Sequence, residues 1–308
     1  MDAEIGVRLV TAIDEYLGTA PGHRAAHARG ICCKALFTPT PEAAAFTRAA
    51  HCQGPPVPVV VRFSNSSSRP DAADYSLEVA GMAVKFMLED GRETDIVANS
   101  LPVFFVRRPE DFVELTRARS PDPKTGRPST LRVLLFAARH PESLRALLYS
   151  GRRLNLVPAS WLSARYNGMH AFRWIDSAGQ VTNVRYRLMP ELGEHSLARK
   201  DARELGPDYL HRDLEQRLAD GPIGFRLAVQ VAAPGDPTDD ATRAWPESRR
   251  LVEAGRLELN SMSSDQDSGC ERRVFDPTRV IDGIELSDDP LLEARRAAYS
   301  VSIERRLG

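Results

Sequence analysis

The chain has 308 residues, of which 42% are hydrophobic and 27% are charged, so it can form one large domain or two ordinary ones around a substantial core. Its 41 basic and 42 acidic residues give a net charge of −1, which argues against a protein that coats nucleic acid or an anionic membrane. No apolar run reaches the length of a membrane-spanning helix, and the amphipathic start lacks the features of a signal peptide, so we expect no nucleic-acid or membrane partner.

The first third of the chain predicts one helix and then closely spaced strands. Apolar side chains that share one face of a helix over 3–17 are Ile5, Leu9, Val10, Ile13 and Leu17. A short alanine-rich helix is predicted over 41–50, and strands are predicted over 57–64, 79–88, 94–98 and 101–106. Strands this close together, joined by short turns, favour an antiparallel meander over βαβ units.

The rest of the chain mixes helices and strands. Helices are predicted over 109–117, 131–138, 141–148, 198–219 and 289–306. Gly206–Pro207 should break the fourth of these helices in two, and a loop is predicted over 120–129, between the first and the second. Strands are predicted over 169–175, 181–188, 224–232 and 256–262. Because no repeat and no change of composition marks a linker, the pattern predicts one α+β domain over 1–308.

The first two histidines and the cysteines do not by themselves predict a metal site. His23 and His27 have the i, i+4 spacing of zinc ligands on a helix, but the glutamate of the metalloprotease motif is missing and glycines bracket the segment. Ordinary loop histidines are therefore the favoured interpretation. The four cysteines are interpreted as buried structural thiols in a reducing, cytoplasmic protein: Cys32, Cys33, Cys52 and Cys270.

The predicted C-terminal helix carries an arginine and a tyrosine on one face. Arg295 and Tyr299 are spaced i, i+4, and Arg306 lies seven residues beyond Tyr299. A nearby guanidinium favours the ionised form of a phenol, and tyrosinate is an axial ligand of the iron in some haem enzymes. An isolated pair with this spacing is more typical of a surface contact, so the rest of the sequence has to decide.

Several ordered motifs resemble the haem catalases. The segments that carry the resemblance are His27-Ala28-Arg29-Gly30, Val61-Arg62-Phe63-Ser64, Gly81-Met82-Ala83-Val84-Lys85-Phe86, Asp95-Ile96-Val97-Ala98-Asn99, Phe275-Asp276-Pro277 and Arg295 to Tyr299. They span nearly the whole chain, and its length resembles the small catalase-related peroxidases, the minimal form of the family. The resemblance implies an α+β fold, a closed antiparallel β-barrel with flanking helices, which holds haem b between the barrel and the C-terminal helix.

The resemblance also implies roles for residues on the peroxide side of the haem. His27 is expected to take a proton from the peroxide and return it to the leaving oxygen. Ser64 is expected to orient that imidazole, and Asn99 to hold the peroxide by hydrogen bonding. The phenylalanines expected to pack near this face are Phe104, Phe105 and Phe112.

On the other side of the haem, the resemblance implies that Tyr299 ligates the iron as tyrosinate. Arg295 is expected to keep Tyr299 ionised, with His170 and Asp289 behind Arg295. Bidentate arginine contacts suit carboxylates. The arginines expected to bind the two haem propionates are Arg24, Arg62 and Arg306.

Four positions depart from the pattern of the family. Ala26 replaces a valine before the distal histidine, Ser66 replaces a valine of the peroxide channel, Ser100 replaces a second asparagine, and Ile303 stands where histidine is common. Smaller and more polar distal residues suggest a wider pocket. We therefore expect at most weak catalase activity and easier access for organic hydroperoxides and reducing co-substrates.

The predicted activity is reduction of hydrogen peroxide or organic hydroperoxides by a haem peroxidase with an external electron donor, in a monomer or homodimer. One alternative is an allene oxide synthase-like enzyme that rearranges fatty-acid hydroperoxides. Ala26 argues against it, because that branch typically has threonine there. A second alternative is a haem carrier or sensor without turnover, which His27 and Asn99 disfavour because storage needs no acid–base pair.

Overall fold

The computed structural model describes residues 2–122, 126, 129–152 and 155–307. Its helices are α1 Asp2–Leu17, α2 Pro41–Phe46, α3 Pro109–Arg119, α4 Thr130–Arg139, α5 Leu144–Arg152, α6 Arg199–Glu204, α7 Tyr209–Asp220 and α8 Pro290–Leu307. Its strands are β1 Gly30–Pro39, β2 Val57–Asn65, β3 Ala80–Met87, β4 Glu93–Asn99, β5 Leu156–Pro158, β6 Tyr166–Asn167, β7 Phe172–Ile175, β8 Val181–Pro190, β9 Ser196–Ala198, β10 Ile223–Val231, β11 Leu251–Met262 and β12 Ile284–Leu286. Within these ranges, every helix is too short or too polar to span a bilayer.

Eight strands close into an antiparallel barrel. Their hydrogen-bonding order is β10, β11, β1, β2, β3, β4, β6 and β8, and the pairing of β8 with β10 closes the ring. Closure removes the free edges that an open sheet would expose. β7 and β12 extend the sheet beyond β8, and β5 pairs with β9 separately.

The barrel has a packed interior, and β2 shows how its side chains are distributed. Val59, Val61 and Phe63 belong to the large buried core cluster. Arg62 and Ser64, which alternate with them, line a cavity on the outer surface of the barrel. This period of two places apolar residues inside the barrel and the polar residues of the motifs outside it.

Two terminal helices cover that cavity. α1 packs along α8, and α3 contacts both of them. At Gly6 in α1, an added Cβ would lie 2.7 Å from the backbone carbonyl carbon of Ala297, so glycine permits the close approach of the two helices. The first and last elements of the chain therefore form one wall together.

Most predicted elements are confirmed, but five predictions are wrong in extent or kind. The helix predicted over 141–148 runs instead from Leu144 to Arg152, after a 3₁₀ turn over Pro141–Ser143. The segment 101–106 is irregular rather than a strand, because Pro102 has no N–H and the Leu101 N–H is taken by Asn99 Oδ1. The helix predicted over 41–50 ends at Phe46, and the strand predicted from 169 begins at Phe172. β11 begins at Leu251, before the predicted start at 256. The predicted loop over 120–129 lies partly outside the described residues.

The sequence patterns missed β1 and one covalent link. β1 pairs with β2 on one side and with β11 on the other. Its Cys32 forms a disulfide with Cys270, so the interpretation of these two as free thiols is wrong. Cys33 and Cys52 are free and buried, as predicted. The pairing was hidden because 238 residues separate two cysteines that the barrel brings together.

Candidate active site

His27 lies at the edge of the cavity, just before β1, in a constrained position. Its backbone has φ of 57°, a left-handed conformation that is unfavourable for any residue with a Cβ. Its Nδ1 is hydrogen-bonded to Ser64 Oγ at 3.0 Å, and Arg62 Nη2 donates to its backbone carbonyl at 2.9 Å. Burial, followed by the charges of the neighbouring arginines, lowers the pKa of His27 to about 3. The imidazole is therefore neutral at physiological pH and can accept a proton.

Strand register places Ser64, Gly81 and Asn99 in one row. Ser64 of β2 is opposite Gly81 of β3, and Gly81 is opposite Asn99 of β4. A Cβ on Gly81 would lie 2.7 Å from Ser64 Oγ and 2.9 Å from the His27 ring, so a glycine leaves the space that the imidazole occupies. Asn99 Oδ1 accepts from the Leu101 N–H, and Nδ2 lies 3.6 Å from Met169 Sδ. A thioether is a weak acceptor, so the amide N–H₂ is available to a better one.

Helix α8 brings a chain of hydrogen bonds to the same cavity. Arg295 Nη2 donates to Tyr299 Oη at 2.8 Å, and Arg295 Nη1 donates to His170 Nε2 at 2.8 Å. His170 Nδ1 then lies 2.8 Å from Asp289 Oδ2, and both of these side chains are buried. Because Nε2 accepts, the proton of His170 is on Nδ1 and is donated to Asp289. Burial lowers the pKa of His170, which agrees with a neutral ring.

Three arginines gather at one end of the cavity. Burial lowers the pKa of Arg62 to about 9 and that of Arg306 to about 10, and Arg24 adds a repulsive charge to both. Glu271 contacts Arg24 at 2.5 Å and Arg62 at 3.3 Å. The Nε atoms of Arg62 and Arg306 are buried without a hydrogen-bond partner. This arrangement suits a ligand with more than one carboxylate.

The cavity that joins these groups has a volume of about 310 Å³ and a mostly apolar lining. Leu9, Val10 and Ile13 of α1 contribute to it. Phe112 lines the cavity and stacks on Phe104, which also lines it, with ring centroids 5.6 Å apart. Phe105 packs against Phe104 instead and is not part of the lining.

The four departures from the family pattern have different surroundings. Ala26 and Ile303 line the cavity. Ser66 Oγ accepts from the Val79 N–H at 3.2 Å and Ser100 Oγ accepts from the Ala80 N–H at 3.1 Å, and neither serine lines it. Of the three smaller or more polar replacements, only Ala26 therefore lies in the lining, and the wider pocket stays an expectation.

The cavity brings together ten of the predicted site residues: Arg24, His27, Arg62, Ser64, Asn99, Phe104, Phe112, Arg295, Tyr299 and Arg306. His170 and Asp289 lie behind Arg295, as predicted. Among the described residues, no group of three potential metal ligands includes His23 or His27.

Sequence reasoning missed Glu271, Arg273, Met169 and Gly81. Arg273 lines the cavity and accepts from Arg24 through its backbone carbonyl. Only Gly81 carried a usable signal, since a glycine inside a strand often marks the close approach of another group. For the other three, the contacts come from parts of the chain far apart in sequence.

Comparisons with known proteins agree over nearly the full length. A family model described as Catalase matches residues 18–308. The chain is 41% identical to a catalase-related peroxidase of Mycolicibacterium paratuberculosis, over 96% of this chain and 94% of that protein. It is 32% identical to a catalase-related peroxidase of Synechococcus elongatus, over 97% of this chain and 88% of that protein. A crystal structure of a fungal catalase superposes with a TM-score of 0.84 and 25% identity, covering 93% of this chain and 60% of that one.

Proposed function

The chain belongs to the catalase family, and on that premise we propose that it is a haem-dependent peroxidase with at most weak catalase activity. It reduces hydrogen peroxide, organic hydroperoxides or both, with electrons from an external donor. The observation that carries the proposal is one cavity lined both by His27 with its Ser64 partner and by the Arg295–Tyr299 pair. The full-length likeness to two catalase-related peroxidases supports peroxidase over catalase turnover.

The residues of the cavity fit haem b. The mostly apolar lining suits a porphyrin, and Arg62 and Arg306 keep buried Nε donors for its two carboxylates. Tyr299 offers the phenolate oxygen that would hold the iron. When bound, the haem would supply the two electrons that reduce the peroxide O–O bond.

On the barrel side, the chain's own residues move protons and orient the peroxide. Neutral His27 accepts the proton of the peroxide and later donates it to the leaving oxygen, so that water or an alcohol departs instead of an anion. Ser64 fixes the imidazole through the 3.0 Å hydrogen bond. Asn99 Nδ2 is the donor that holds the peroxide.

On the α8 side, the hydrogen-bond chain fixes the position of the Tyr299 oxygen. Arg295 is the donor to the phenol oxygen at 2.8 Å, so its positive charge lies beside the atom that would hold the iron. Asp289 orients His170, and His170 accepts from Arg295, so the guanidinium cannot rotate away. The iron ligand is thereby held in one orientation.

The test begins with the absorption spectrum of the purified protein reconstituted with haem, followed by assays with hydrogen peroxide and a bulky hydroperoxide, with and without donor. We expect donor-dependent turnover that yields water or an alcohol. An epoxide product from a fatty-acid hydroperoxide would instead identify the rearranging enzyme. A preparation that stays colourless after reconstitution would overturn the proposal.

Replacement of His27 separates turnover from haem binding. His27→Ala is expected to lower peroxide turnover by about 10²- to 10⁴-fold while the haem content stays the same, because the proton transfer is lost. His195→Ala, at an exposed histidine outside the cavity, is the matched control and should keep full turnover. Unchanged turnover in His27→Ala would reject the acid–base role.

Three further properties belong to the same proposal. We propose that 1–308 form a single haem-binding domain, that the protein is a monomer or homodimer, and that it acts in the cytoplasm on small-molecule peroxide and co-substrate. Light scattering on the haem-loaded protein measures the oligomeric state. An assembly larger than a dimer would contradict the proposed oligomeric state and leave the other two properties unaffected.

A further inference from the structure

The segment that follows β11 is fastened to the barrel at two points. Gln266 Nε2 donates to the Cys32 carbonyl at 2.8 Å, and the Cys32 N–H donates to Gln266 Oε1 at 2.9 Å. Four residues later, Cys270 is joined to Cys32 by the disulfide, with both cysteines buried. The segment 266–273 is therefore held to one residue of β1.

The same segment surrounds Arg24 with acceptors. Arg24 Nη1 donates to Glu271 Oε2 at 2.5 Å, and Arg24 Nη2 donates to the backbone carbonyls of Cys270 at 3.0 Å and Arg273 at 2.8 Å. Arg62 Nη2 donates to the other oxygen of Glu271 at 3.3 Å. Three of the four residues from Cys270 to Arg273 thus accept hydrogen bonds from Arg24, and Glu271 also accepts one from Arg62.

The charges of the three arginines explain why their contact with Glu271 matters. Arg24, Arg62 and Arg306 line the same cavity and repel one another, so without a counter-charge they would turn apart. Glu271 is the carboxylate that bridges the first two, so it sets where their guanidinium groups point. An arginine that is oriented in advance loses less conformational entropy when it binds a carboxylate.

We propose that Glu271 is a positioning residue for the arginines that receive the haem carboxylates, and that the Cys32–Cys270 disulfide holds Glu271 in place, so that haem affinity depends on the oxidation state of this cysteine pair. The inference rests on the proposed haem function.

The chemistry of the pair can be written with the peroxide as oxidant. Because both sulfurs are buried, the step takes place in molecules in which the segment 266–273 has opened from β1. One thiolate attacks the peroxide O–O bond and becomes a sulfenic acid, and the hydroxide or alkoxide released takes up the thiol proton to leave as water or alcohol. The second thiol displaces water from the sulfenic acid and forms the S–S bond. In sum, two thiols and one peroxide give a disulfide, one water and one water or alcohol. An external dithiol reverses the step by reducing the disulfide and becoming a disulfide itself.

The first experiment tests Glu271 with two porphyrins. The rate of haem transfer from Glu271→Gln to excess apomyoglobin is compared with the rate from the wild type, and is expected to rise about tenfold. For the dimethyl ester of haem, which has no carboxylates, the two proteins should release the porphyrin at equal rates. Glu271→Asp, which keeps the charge, should restore part of the difference. The positioning role would be overturned if the wild type and Glu271→Gln released haem at equal rates. It would also be overturned if Glu271→Gln released the dimethyl ester faster than the wild type by the same factor as haem.

The second experiment tests the disulfide. Thiol titration of the denatured, unreduced protein should find two thiols, from Cys33 and Cys52, and four after reduction with a phosphine. The reduced protein, freed of phosphine, and a Cys32→Ala/Cys270→Ala variant should both release haem several-fold faster than the oxidised wild type. Cys52→Ala, which removes a buried free thiol, is the matched control and should release haem at the wild-type rate.

The failures of the two proposals are distinguishable. Four thiols before reduction, or haem release that does not respond to reduction, would overturn this inference while the haem function stands. A chain that binds no haem in any form would overturn the proposed function and this inference with it.

Discussion

At the residue scale, the central polar groups on both sides of the cavity are oriented by specific neighbours. Ser64 holds the His27 ring, and His170 holds Arg295, which in turn donates to Tyr299. A buried polar group without a partner is costly, so these contacts restrict each side chain to one orientation. Single substitutions should therefore have separable effects.

Removal of the Tyr299 hydroxyl should weaken the hold on haem. In Tyr299→Phe, Arg295 keeps its contact with His170 but the oxygen proposed to ligate the iron is lost, so we expect haem affinity to fall by more than about tenfold and the absorption spectrum to shift. Titration of the protein with haem measures both. Tyr75→Phe, outside the cavity, should leave affinity and spectrum unchanged. A normal spectrum in Tyr299→Phe would refute the assigned ligand.

A buried histidine outside the site should make the fold sensitive to acid. His51 is buried beside Phe86, with ring centroids 4.5 Å apart, and burial lowers its pKa to about 4. In the unfolded chain an ordinary histidine titrates near pH ~6.5, so between the two values the unfolded state binds more protons and stability falls as the pH falls.

We expect the free energy of unfolding to depend on pH differently in the wild type and in His51→Phe. Relative to His51→Phe, the wild type should lose up to about 1.4 kcal/mol of unfolding free energy for each pH unit between 6 and 4, and nothing above pH ~7.5. Urea unfolding of both proteins across this range measures the difference. Parallel profiles would show that His51 does not couple folding to protonation.

At the element scale, the site is a consequence of strand register. The row Ser64, Gly81 and Asn99 exists because β2, β3 and β4 pair without a bulge. A shift of one residue would turn these side chains into the barrel and bring apolar ones to the cavity. The close contact of α1 with α8 then covers the row from outside.

Filling the gap in this row should damage catalysis more than haem binding. Gly81→Ala places a methyl group 2.7 Å from Ser64 Oγ and 2.9 Å from the His27 ring, so the imidazole has to move. We expect kcat/KM for peroxide to fall about tenfold to a hundredfold with haem content retained. Gly151→Ala on α5, where no atom lies within 4 Å of the new Cβ, is the control and should keep the wild-type kinetics. Wild-type kinetics in Gly81→Ala would contradict the geometry.

At the scale of the whole molecule, one covalent link and one closed ring tie distant parts of the chain together. The disulfide joins residues 238 positions apart, and β8 meets β10 to close the barrel. Bringing distant parts of an unfolded chain together costs conformational entropy. Because the disulfide restricts the unfolded chain, it stabilises the folded state relative to the unfolded one.

Reduction should therefore lower the resistance of the protein to urea. We expect the oxidised protein to be more stable than the reduced one by about 2–5 kcal/mol, seen as a lower urea midpoint after reduction at matched haem saturation. The Cys32→Ala/Cys270→Ala variant should show one midpoint with or without reductant. A midpoint that does not change on reduction of the wild type would show that the link adds no stability.

The sequence by itself predicted most elements and the main residues of the site. Periodicity identified α1, and ordered motifs identified His27, Ser64, Asn99 and Tyr299, because helix faces and short motifs are local properties. It missed β1, the length of β11 and the irregular path after Asn99, where pairing partners and tertiary hydrogen bonds outweigh local pattern.

Only the tertiary structure decided which groups meet. Glu271 beside Arg24 and Cys270 bonded to Cys32 are contacts across more than two hundred residues, and no spacing rule encodes them. Which groups can transfer a proton, bind a carboxylate or ligate a metal follows from residue identity, and the sequence gives residue identity directly. Their mutual geometry was determined by barrel closure and strand register, which depend on the packing of the whole chain at once.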